Sequence, residues 1–353
     1  MTIDVHMKKI TQRPLARDIG IGTILLAILI VIPLFDPPRY TIDQFVLFFI
    51  WAGVVTQWNL VFGVAGIFSL AQMAVFAMGG YGAALIALYV HWSIWLTGIL
   101  GALIAVIFSA LIGAATIRLR GAYVALLTLG VAVVMQSLIQ TDSDCFYYEG
   151  ATCYNLTGGA RGLSKFGDFG FREWLGFENR LLGSYYLGLI LLLAGSIFAF
   201  AIIRGPMGHA FRALRDNDAF ARTRGINKVK YQILVFALSG FFTGLMGAFY
   251  AGHYKTFGPT VLDFSIMLTL LAMMVVGGLG RPWGPLVGCA LMMIVDDRLK
   301  TYAEWRTVGM GAITVLFIVI FRQGVVGMIE NAWLRYSRPG ALRALLPGQK
   351  APR

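Results

Sequence analysis

A long stretch without charge constrains this chain more than any other feature. From Gln44 to Ile117, over 74 residues, the sequence contains no Asp, Glu, Lys or Arg. A membrane-spanning helix needs about 20 apolar residues, so this stretch accommodates about three spans with tight connections. The expected breaks are 63–66 and 91–93, where glycines or polar and interfacial aromatic residues collect. The stretch therefore predicts an integral membrane protein.

Composition supports the same class. Hydrophobic residues make up 58% of the chain and charged residues only 13%, which is far more apolar than an ordinary soluble domain. The 29 Lys and Arg outnumber the 17 Asp and Glu, but the basic residues lie between apolar runs rather than on one folded face. We therefore expect contact with a lipid bilayer and no binding of nucleic acid.

The remaining apolar runs complete the prediction of an all-α, polytopic protein with about ten transmembrane helices, in a range of nine to eleven. The first run is expected to be an uncleaved span, because its polar leader is long and no small-x-small cleavage signal follows. The run at 282–295 is short and also compatible with a re-entrant or broken helix. Outside the charge-free stretch, the predicted spans are 19–35, 121–141, 181–203, 231–254, 264–280, 282–295 and 307–321.

Two polar segments interrupt the spans, and we call 142–180 the polar insert and 204–230 the basic loop. Ten crossings place both termini on the same side as the basic loop. That side also takes the connections at Arg118, Arg120 and Arg281, and it then holds 20 of the 29 basic residues but only 5 of the 17 acidic ones. By the positive-inside rule, both termini are expected in the cytoplasm.

The expected organisation is therefore a cytoplasmic N-terminal tail at 1–18, a transmembrane domain at 19–325 and a cytoplasmic C-terminal tail at 326–353. The polar insert would lie on the opposite side of the membrane. If that compartment is oxidising, a disulfide between Cys145 and Cys153 is expected there. Cys289 lies in an apolar run and is expected to be a small buried hydrophobe.

The basic loop is predicted to carry one helix of about four turns, which Gly225 ends as a C-terminal cap. Helical periodicity places Arg212, Arg215 and Arg222 on one face, and Asp218 and Arg222 form an acid-before-base pair four residues apart. Two interpretations remain open. The helix either rests on lipid headgroups, as the positive-inside rule alone would explain, or docks a cytoplasmic partner.

Three uncharged polar residues within the spans, Asn59, Gln72 and Gln136, are expected to face the bundle interior. Each either lines a pathway or simply bonds to the backbone of a neighbouring helix. No Asp, Glu, Lys or Arg is expected in the middle of a span, which argues against a proton-coupled secondary transporter or an ion channel. The spans also offer no clustered acid, base or metal ligands for a membrane enzyme.

Small residues mark two further candidate elements of the pathway or of helix packing. The ridge of Gly240, Gly244, Ala248 and Gly252 allows close helix approach, either as packing within one bundle or as a moving interface with a second subunit. The glycine-rich run that begins at 277, including Gly277 and Gly278, is either a hinge of the pathway or a plain turn.

Several blocks of the sequence, in order over roughly residues 40 to 325, resemble the permeases of ABC importers for branched-chain amino acids. The LTGG element in the polar insert makes the chain most similar to the M-type of the two paired permeases. The blocks are QWNLVFGVAGIFSLAQMAVFAMGGYGAAL at 57–85, RLRGAYVALLTLG at 118–130, LTGGARGL at 156–163, RALRDNDAFARTRGIN at 212–227, FALSGFFTGLMGAFYAG at 236–252 and VVGGLGRPWGPLVG at 275–288.

This resemblance implies a multi-pass subunit of the bacterial inner membrane without catalytic residues, cofactor or metal. Its partners would be a second permease, two cytoplasmic ATPases and a periplasmic solute-binding protein. The chain itself contains no Gly-Lys pair and hence no phosphate-binding loop. The solute would be a branched-chain amino acid, with urea, a short amide or another small polar solute as the alternative.

The resemblance also assigns the basic loop as the element that couples the permease to an ATPase. Many relatives carry Glu near Asp218, so this chain departs from the pattern at that position. The residues assigned to the coupling element are Arg212, Arg215, Asp216, Asp218, Arg222 and Gly225.

Overall fold

The computed structural model describes residues 15–35, 37–143, 146–149, 152–300, 306–320 and 324–329. The described part is predominantly helical, as expected for an all-α membrane protein. Its helices are α1 Leu15–Val31, α2 Arg39–Asn59, α3 Gln72–Val90, α4 Ile94–Ala115, α5 Ala122–Gln140, α6 Phe171–Arg204, α7 Pro206–Asp216, α8 Asp218–Thr223, α9 Lys228–Tyr254, α10 Phe264–Gly277, α11 Gly284–Leu299, α12 Arg306–Ile320 and α13 at 324–329.

Two short antiparallel ribbons accompany the helices. The strands are β1 Tyr147–Glu149, β2 Thr152–Tyr154, β3 Leu163–Ser164 and β4 Thr256–Phe257. In the first ribbon β1 pairs with β2, and in the second Leu163 pairs with Phe257. Cys153 lies on β2, whereas Cys145 lies outside the described residues, so the disulfide stays a prediction. Cys289 is fully buried, which confirms its prediction as a small core residue.

Within the described residues, six helices are long and apolar enough to cross a membrane. In a bilayer, such helices form because every backbone N–H and C=O must be satisfied within the segment. The charge-free stretch breaks between α2 and α3 and again at 91–93, close to the predicted positions. The six helices are Arg39–Val64, Gln72–Val90, Ile94–Ala115, Ala122–Gln140, Asn179–Arg204 and Lys228–Tyr254.

Helices α10 and α11 form a hairpin of shorter members, with 14 and 16 residues. At 1.5 Å per residue they extend about 21 and 24 Å, less than the roughly 30 Å of a hydrocarbon core. Shorter apolar helices also lie at Gly20–Phe35 and Val308–Phe317. The total of ten crossings and the side of the termini therefore stay predictions.

The chain divides into two compact units. The first comprises Met1–Leu47 and Phe171–Leu187. Within it, the Tyr185 hydroxyl donates a hydrogen bond of 2.6 Å to the carbonyl oxygen of Leu29. The Tyr185 ring also meets Phe45 edge-on, with ring centres 6.0 Å apart.

The second unit comprises Phe48–Gly170 and Gly188–Arg353 and contains a core of α3, α4 and α9. Small residues set the close approach of these helices. A Cβ atom placed on Gly79 would lie 2.3 Å from the Gly244 Cα, and one placed on Gly101 would lie 2.4 Å from the Gly79 carbonyl oxygen. The candidate site described below lies in this second unit.

Candidate functional site

The basic loop contains two helices rather than the predicted one. Asn217 separates α7 from α8 with an extended backbone, φ −156° and ψ 98°, and its side chain accepts a hydrogen bond of 3.0 Å from the Phe220 backbone N–H. The single four-turn helix was a wrong prediction, because asparagine stabilises a helix start better than a helix interior. Asn217 followed by Asp218 is the sequence signal that identifies this start.

The end of α8 matches its prediction. Gly225 adopts a left-handed conformation with φ +82°, and the Ile226 N–H donates to the Ala221 carbonyl oxygen over 3.1 Å. Glycine favours this conformation because it has no Cβ.

Arg215 connects the basic loop to the end of α2. The helix α2 continues into a π-helical turn, Leu60–Val64, and the Arg215 Nη1 donates a hydrogen bond of 2.9 Å to the Gly63 carbonyl oxygen within that turn. The aliphatic part of Arg215 lies against Gly66, where a Cβ atom would come within 2.2 Å of the Arg215 Cγ. The side chain is thus seated in a notch lined by two glycines.

Asn59 connects the same turn to the hairpin of α10 and α11. Its Nδ2 donates to the Arg281 carbonyl oxygen over 3.1 Å, and its Oδ1 accepts from the Gly280 N–H over 2.8 Å. Asn59 is 1% exposed, so its polar side chain is satisfied by backbone partners. The segment 59–63, which we call the junction, therefore contacts both the basic loop and the hairpin turn.

Arg212 points towards the protein rather than away from it. Its Nε donates to the Gly208 carbonyl oxygen over 3.1 Å, and its Nη2 donates to the Ile203 carbonyl oxygen at the end of α6. Partial burial, followed by the nearby charge of Arg215, lowers the pKa of the Arg212 guanidinium. Arg212 and Arg215 thus fasten the loop to the spans, a role that the periodicity argument missed.

Asp218 is the centre of an ion-pair cluster. It accepts hydrogen bonds from Arg222 Nε at 2.9 Å, from Arg222 Nη2 at 2.7 Å and from Lys228 Nζ at 3.0 Å. Desolvation raises the pKa of the Asp218 carboxyl, but the hydrogen bonds and charges of Arg222 and Lys228 outweigh this and lower it below its ordinary value. The predicted pair of Asp218 and Arg222 is present, and Lys228 joins it.

The outward surface of the loop is formed by other residues. Phe220 is 58% exposed, and the Arg224 guanidinium lies 5.3 Å from the centre of its ring. Ala219 and Thr223 beside them are also exposed. An exposed aromatic ring with a cation over its face offers a partner both apolar area and charge. The sequence analysis did not single out Phe220 or Arg224.

A cavity of about 530 Å³ lies beneath the loop. Its wall contains basic side chains from the connection between α4 and α5 and from α7, α8 and α9, together with apolar side chains. The basic lining residues are Arg120, Arg215, Arg222 and Lys228, and Asp218 also lines the cavity.

The other predicted polar residues lie apart from the loop. Gln72 donates through Nε2 to the Thr243 hydroxyl, and Gln136 Nε2 donates to Asp263 Oδ1 over 2.7 Å. The buried Gln57, which the sequence analysis did not single out, donates through Nε2 to the Gly195 carbonyl oxygen over 2.9 Å. These are bonds between neighbouring helices or helix ends.

The predicted small residues pack within the chain. A Cβ atom on Gly240 would lie 2.7 Å from Ser109 Cβ, and one on Gly244 would lie 2.4 Å from Ala105 Cβ. The ridge on α9 is therefore covered by α4. Gly277 approaches the carbonyl oxygen of Gly284 within the hairpin, where its Cβ atom would be 1.9 Å away.

Gly278 follows α10 with φ +119°, a conformation that favours glycine. A Cβ atom on Gly324 would lie 2.4 Å from the Gly278 Cα, so α13 begins against this turn. Among the described residues, no group of three or more His, Cys, Asp or Glu could hold a metal ion.

Comparison with known proteins connects this architecture to membrane transport. A family model described as "Branched-chain amino acid transport system / permease component" matches residues 40–321. No solved structure is significantly similar to the chain.

Three known permeases illustrate how similar this chain is to its relatives. The high-affinity branched-chain amino acid transport system permease protein LivM of Salmonella typhimurium is 25% identical over 291 residues, which cover 76% of this chain and 66% of that protein. The Escherichia coli (strain K12) LivM is 25% identical over 311 residues, covering 82% of this chain and 71% of that protein. The ribose import permease protein RbsC of Escherichia coli (strain K12) is 26% identical over 206 residues, covering 56% and 61%.

The chain thus spans just under two thirds of the length of the Salmonella relative. The family match extends from the start of α2 to the residue after α12, and it includes the junction, the basic loop and the hairpin. On this evidence, the protein belongs to the ABC transporter permease family of branched-chain amino acid transport systems.

Proposed function

We propose that this chain is a transmembrane permease subunit of an ABC importer for branched-chain amino acids or a related small amino acid. Together with a second permease it would form the solute pathway. Two ATPase subunits would supply the energy, and a periplasmic solute-binding protein would deliver the solute. The similarity to LivM supports this choice of solute class.

One observation carries the proposal: Arg215 joins the exposed basic loop to the junction through a single hydrogen bond to Gly63. The junction in turn contacts the hairpin turn through Asn59. A partner that shifts the loop would therefore act on two membrane segments at once. We assign Phe220, Arg224 and the exposed part of Arg222 as the surface that contacts the ATPase.

The proposed orientation places the basic loop and both termini in the cytoplasm of a bacterial inner membrane, with the polar insert in the periplasm. The charge distribution supports this choice, since 20 of the 29 basic residues would lie on the cytoplasmic side. The basic loop can meet a cytoplasmic ATPase only in this orientation.

A second candidate solute is suggested by the ribose import permease of Escherichia coli (strain K12), whose match covers 56% of this chain. Another small polar solute, including urea or a short amide, would use the same architecture. Uptake by the reconstituted complex, measured with radiolabelled leucine, ribose and urea in parallel, distinguishes these solutes.

The role of the basic loop is tested in liposomes that contain this chain, its second permease, the ATPases and the binding protein. A hydrogen bond from a charged donor contributes roughly 1.5–3 kcal/mol, so Arg215→Ala is expected to reduce stimulated ATP hydrolysis and uptake about tenfold or more. Arg118→Ala is the matched control, because Arg118 is exposed and lies outside the loop.

Phe220→Asp tests the contact surface separately, because its exposed side chain can be changed without disturbing the core. It is expected to weaken ATPase binding while the chain still inserts and folds. Accumulation of solute without ATP would contradict the proposed importer. Full stimulation in both Arg215→Ala and Phe220→Asp would contradict the role assigned to the loop.

A further inference from the structure

We propose that the cavity beneath the basic loop binds the headgroup of an anionic phospholipid, whose acyl chains lie along the exposed face of α5. Phe220 and Arg224 do not line this cavity, whereas Arg222 lines it and also belongs to the surface assigned to the ATPase. The proposed site does not depend on which solute the importer carries.

The charge of the cavity favours an anion. Among the described residues, four basic side chains line it and Asp218 is the acidic one. Asp218 is bound to Arg222 and Lys228, and Arg215 is paired with the neighbouring Asp216 over 3.1 Å, which leaves Arg120 as the main source of the local positive field. Arg120 is exposed and forms no ion pair within the described part of the chain. The cavity therefore offers an uncompensated positive charge to a phosphate group.

The rest of the wall favours a lipid over a free phosphate ion. Ile67, Phe68 and Val124 line the cavity together with the basic residues, so a ligand would contact both charged and apolar surface. The volume of about 530 Å³ lies within the roughly 300–1,000 Å³ typical of sites for small organic groups. An inorganic phosphate would leave much of this apolar wall uncovered.

The cavity also borders the start of α5, a helix that presents apolar side chains outwards further along. Gly121 and Val124, at the start of α5, line the cavity. Further along the helix, Leu126, Val134 and Leu138 are each more than half exposed. A lipid whose phosphate lies beside Arg120 could therefore extend its acyl chains over this apolar face. The combination identifies a phospholipid with a negatively charged headgroup.

The test uses the purified full chain in a neutral detergent, with lipid binding measured by native mass spectrometry. Phosphatidylglycerol is compared with phosphatidylcholine of the same acyl chains, and inorganic phosphate is added as a competitor. Loss of one basic charge near an anionic lipid lowers binding about fivefold, so Arg120→Gln is expected to weaken phosphatidylglycerol binding by that factor. Phosphatidylcholine binding should be weak and unchanged.

Arg118→Gln is the matched control, because Arg118 is an exposed neighbour outside the cavity wall. Equal losses in Arg118→Gln and Arg120→Gln would overturn the proposal in favour of general surface attraction. Complete displacement by inorganic phosphate would overturn it in favour of a simple anion site. If phosphatidylglycerol does not bind and Arg120→Gln instead weakens binding of the ATPase, the cavity belongs to the protein interface and the proposal fails.

Discussion

The basic loop and the LTGGARGL segment of the polar insert are both polar connections fastened to apolar helices, but they are fastened differently. The loop is attached by long side chains: Arg215 donates to the Gly63 carbonyl oxygen, and Arg212 donates to the carbonyl oxygens of Gly208 and Ile203. A side chain can leave its acceptor by rotation, with no change to the backbone that carries it. Rotation can therefore break these two polar attachments, while Phe211 of the same loop, which is 1% exposed, stays packed in the apolar core.

The LTGGARGL segment is attached by its backbone. Leu163 pairs with Phe257 in the second ribbon, and a Cβ atom on Gly162 would lie 2.4 Å from the Gly258 Cα. Thr157 is held from the other side, because its N–H donates to Asp142 Oδ2 over 2.6 Å. Backbone contacts this close can be broken only if the backbone itself moves. Side-chain rotation can therefore release the polar attachments of the basic loop, whereas the attachments of this segment are made by the backbone.

The variant with the largest expected effect tests the junction. Gly63→Ala would place a Cβ atom 2.0 Å from Asn59 Oδ1 and 2.4 Å from the Gly280 backbone nitrogen. Because backbone would have to shift, we expect a loss of about 3 kcal/mol in the free energy of unfolding, measured by thermal or denaturant unfolding in detergent. Gly130→Ala is the control, since nothing lies within 4 Å of its Cβ position. Equal stability of the two variants would show that the junction tolerates expansion.

A variant with an intermediate expected effect tests the LTGGARGL segment. Gly162→Ala combines a left-handed backbone, φ +74°, with the clash against Gly258, and we expect it to cost about 2–3 kcal/mol by the same unfolding measurement. Gly167→Ala is a matched control with φ +96° but open space around its Cβ position. The Gly167→Ala variant should lose about 1 kcal/mol in the free energy of unfolding, because only the backbone conformation is unfavourable for alanine there. If the two variants lose the same stability, close packing does not hold this segment.

The smallest effect concerns the ion pairs of the loop. Because the pKa of Asp218 is lowered in the folded protein, its stabilisation is present above the ordinary pKa of about 3.9 and is lost as the pH falls through the folded value. Asp218→Asn should therefore lower the local stability of α8 at pH 7 by about 0.3–0.5 kcal/mol. It should also remove the loss of this stability that the wild type shows as the pH falls.

Hydrogen exchange of the α8 amides, corrected for the intrinsic rate at each pH, measures this change. The LTGGARGL segment serves as the internal reference, since its exchange should be the same in both proteins. A variant that retains the acid dependence of the wild type would assign that dependence to a group other than Asp218.

Sequence reasoning predicted the membrane class, the breaks of the charge-free stretch and the Gly225 cap, because each follows from local composition. It predicted the pair of Asp218 and Arg222 for the same reason. It missed the break at Asn217, since the apolar and basic periodicity continues across that residue. It could not predict the direction of Arg215, whose acceptor at Gly63 is 152 residues away in the chain.

That separation has a consequence for synthesis of the protein. The end of α2 emerges from the ribosome long before the guanidinium that binds it. At about 5–20 residues per second, synthesis from Gly63 to Arg215, a separation of 152 positions, takes about 8–30 s. During that interval the π-helical turn lacks the Arg215 side chain that binds it in the complete protein. The contact between α2 and the basic loop therefore forms only after translation of the second half of the chain has begun.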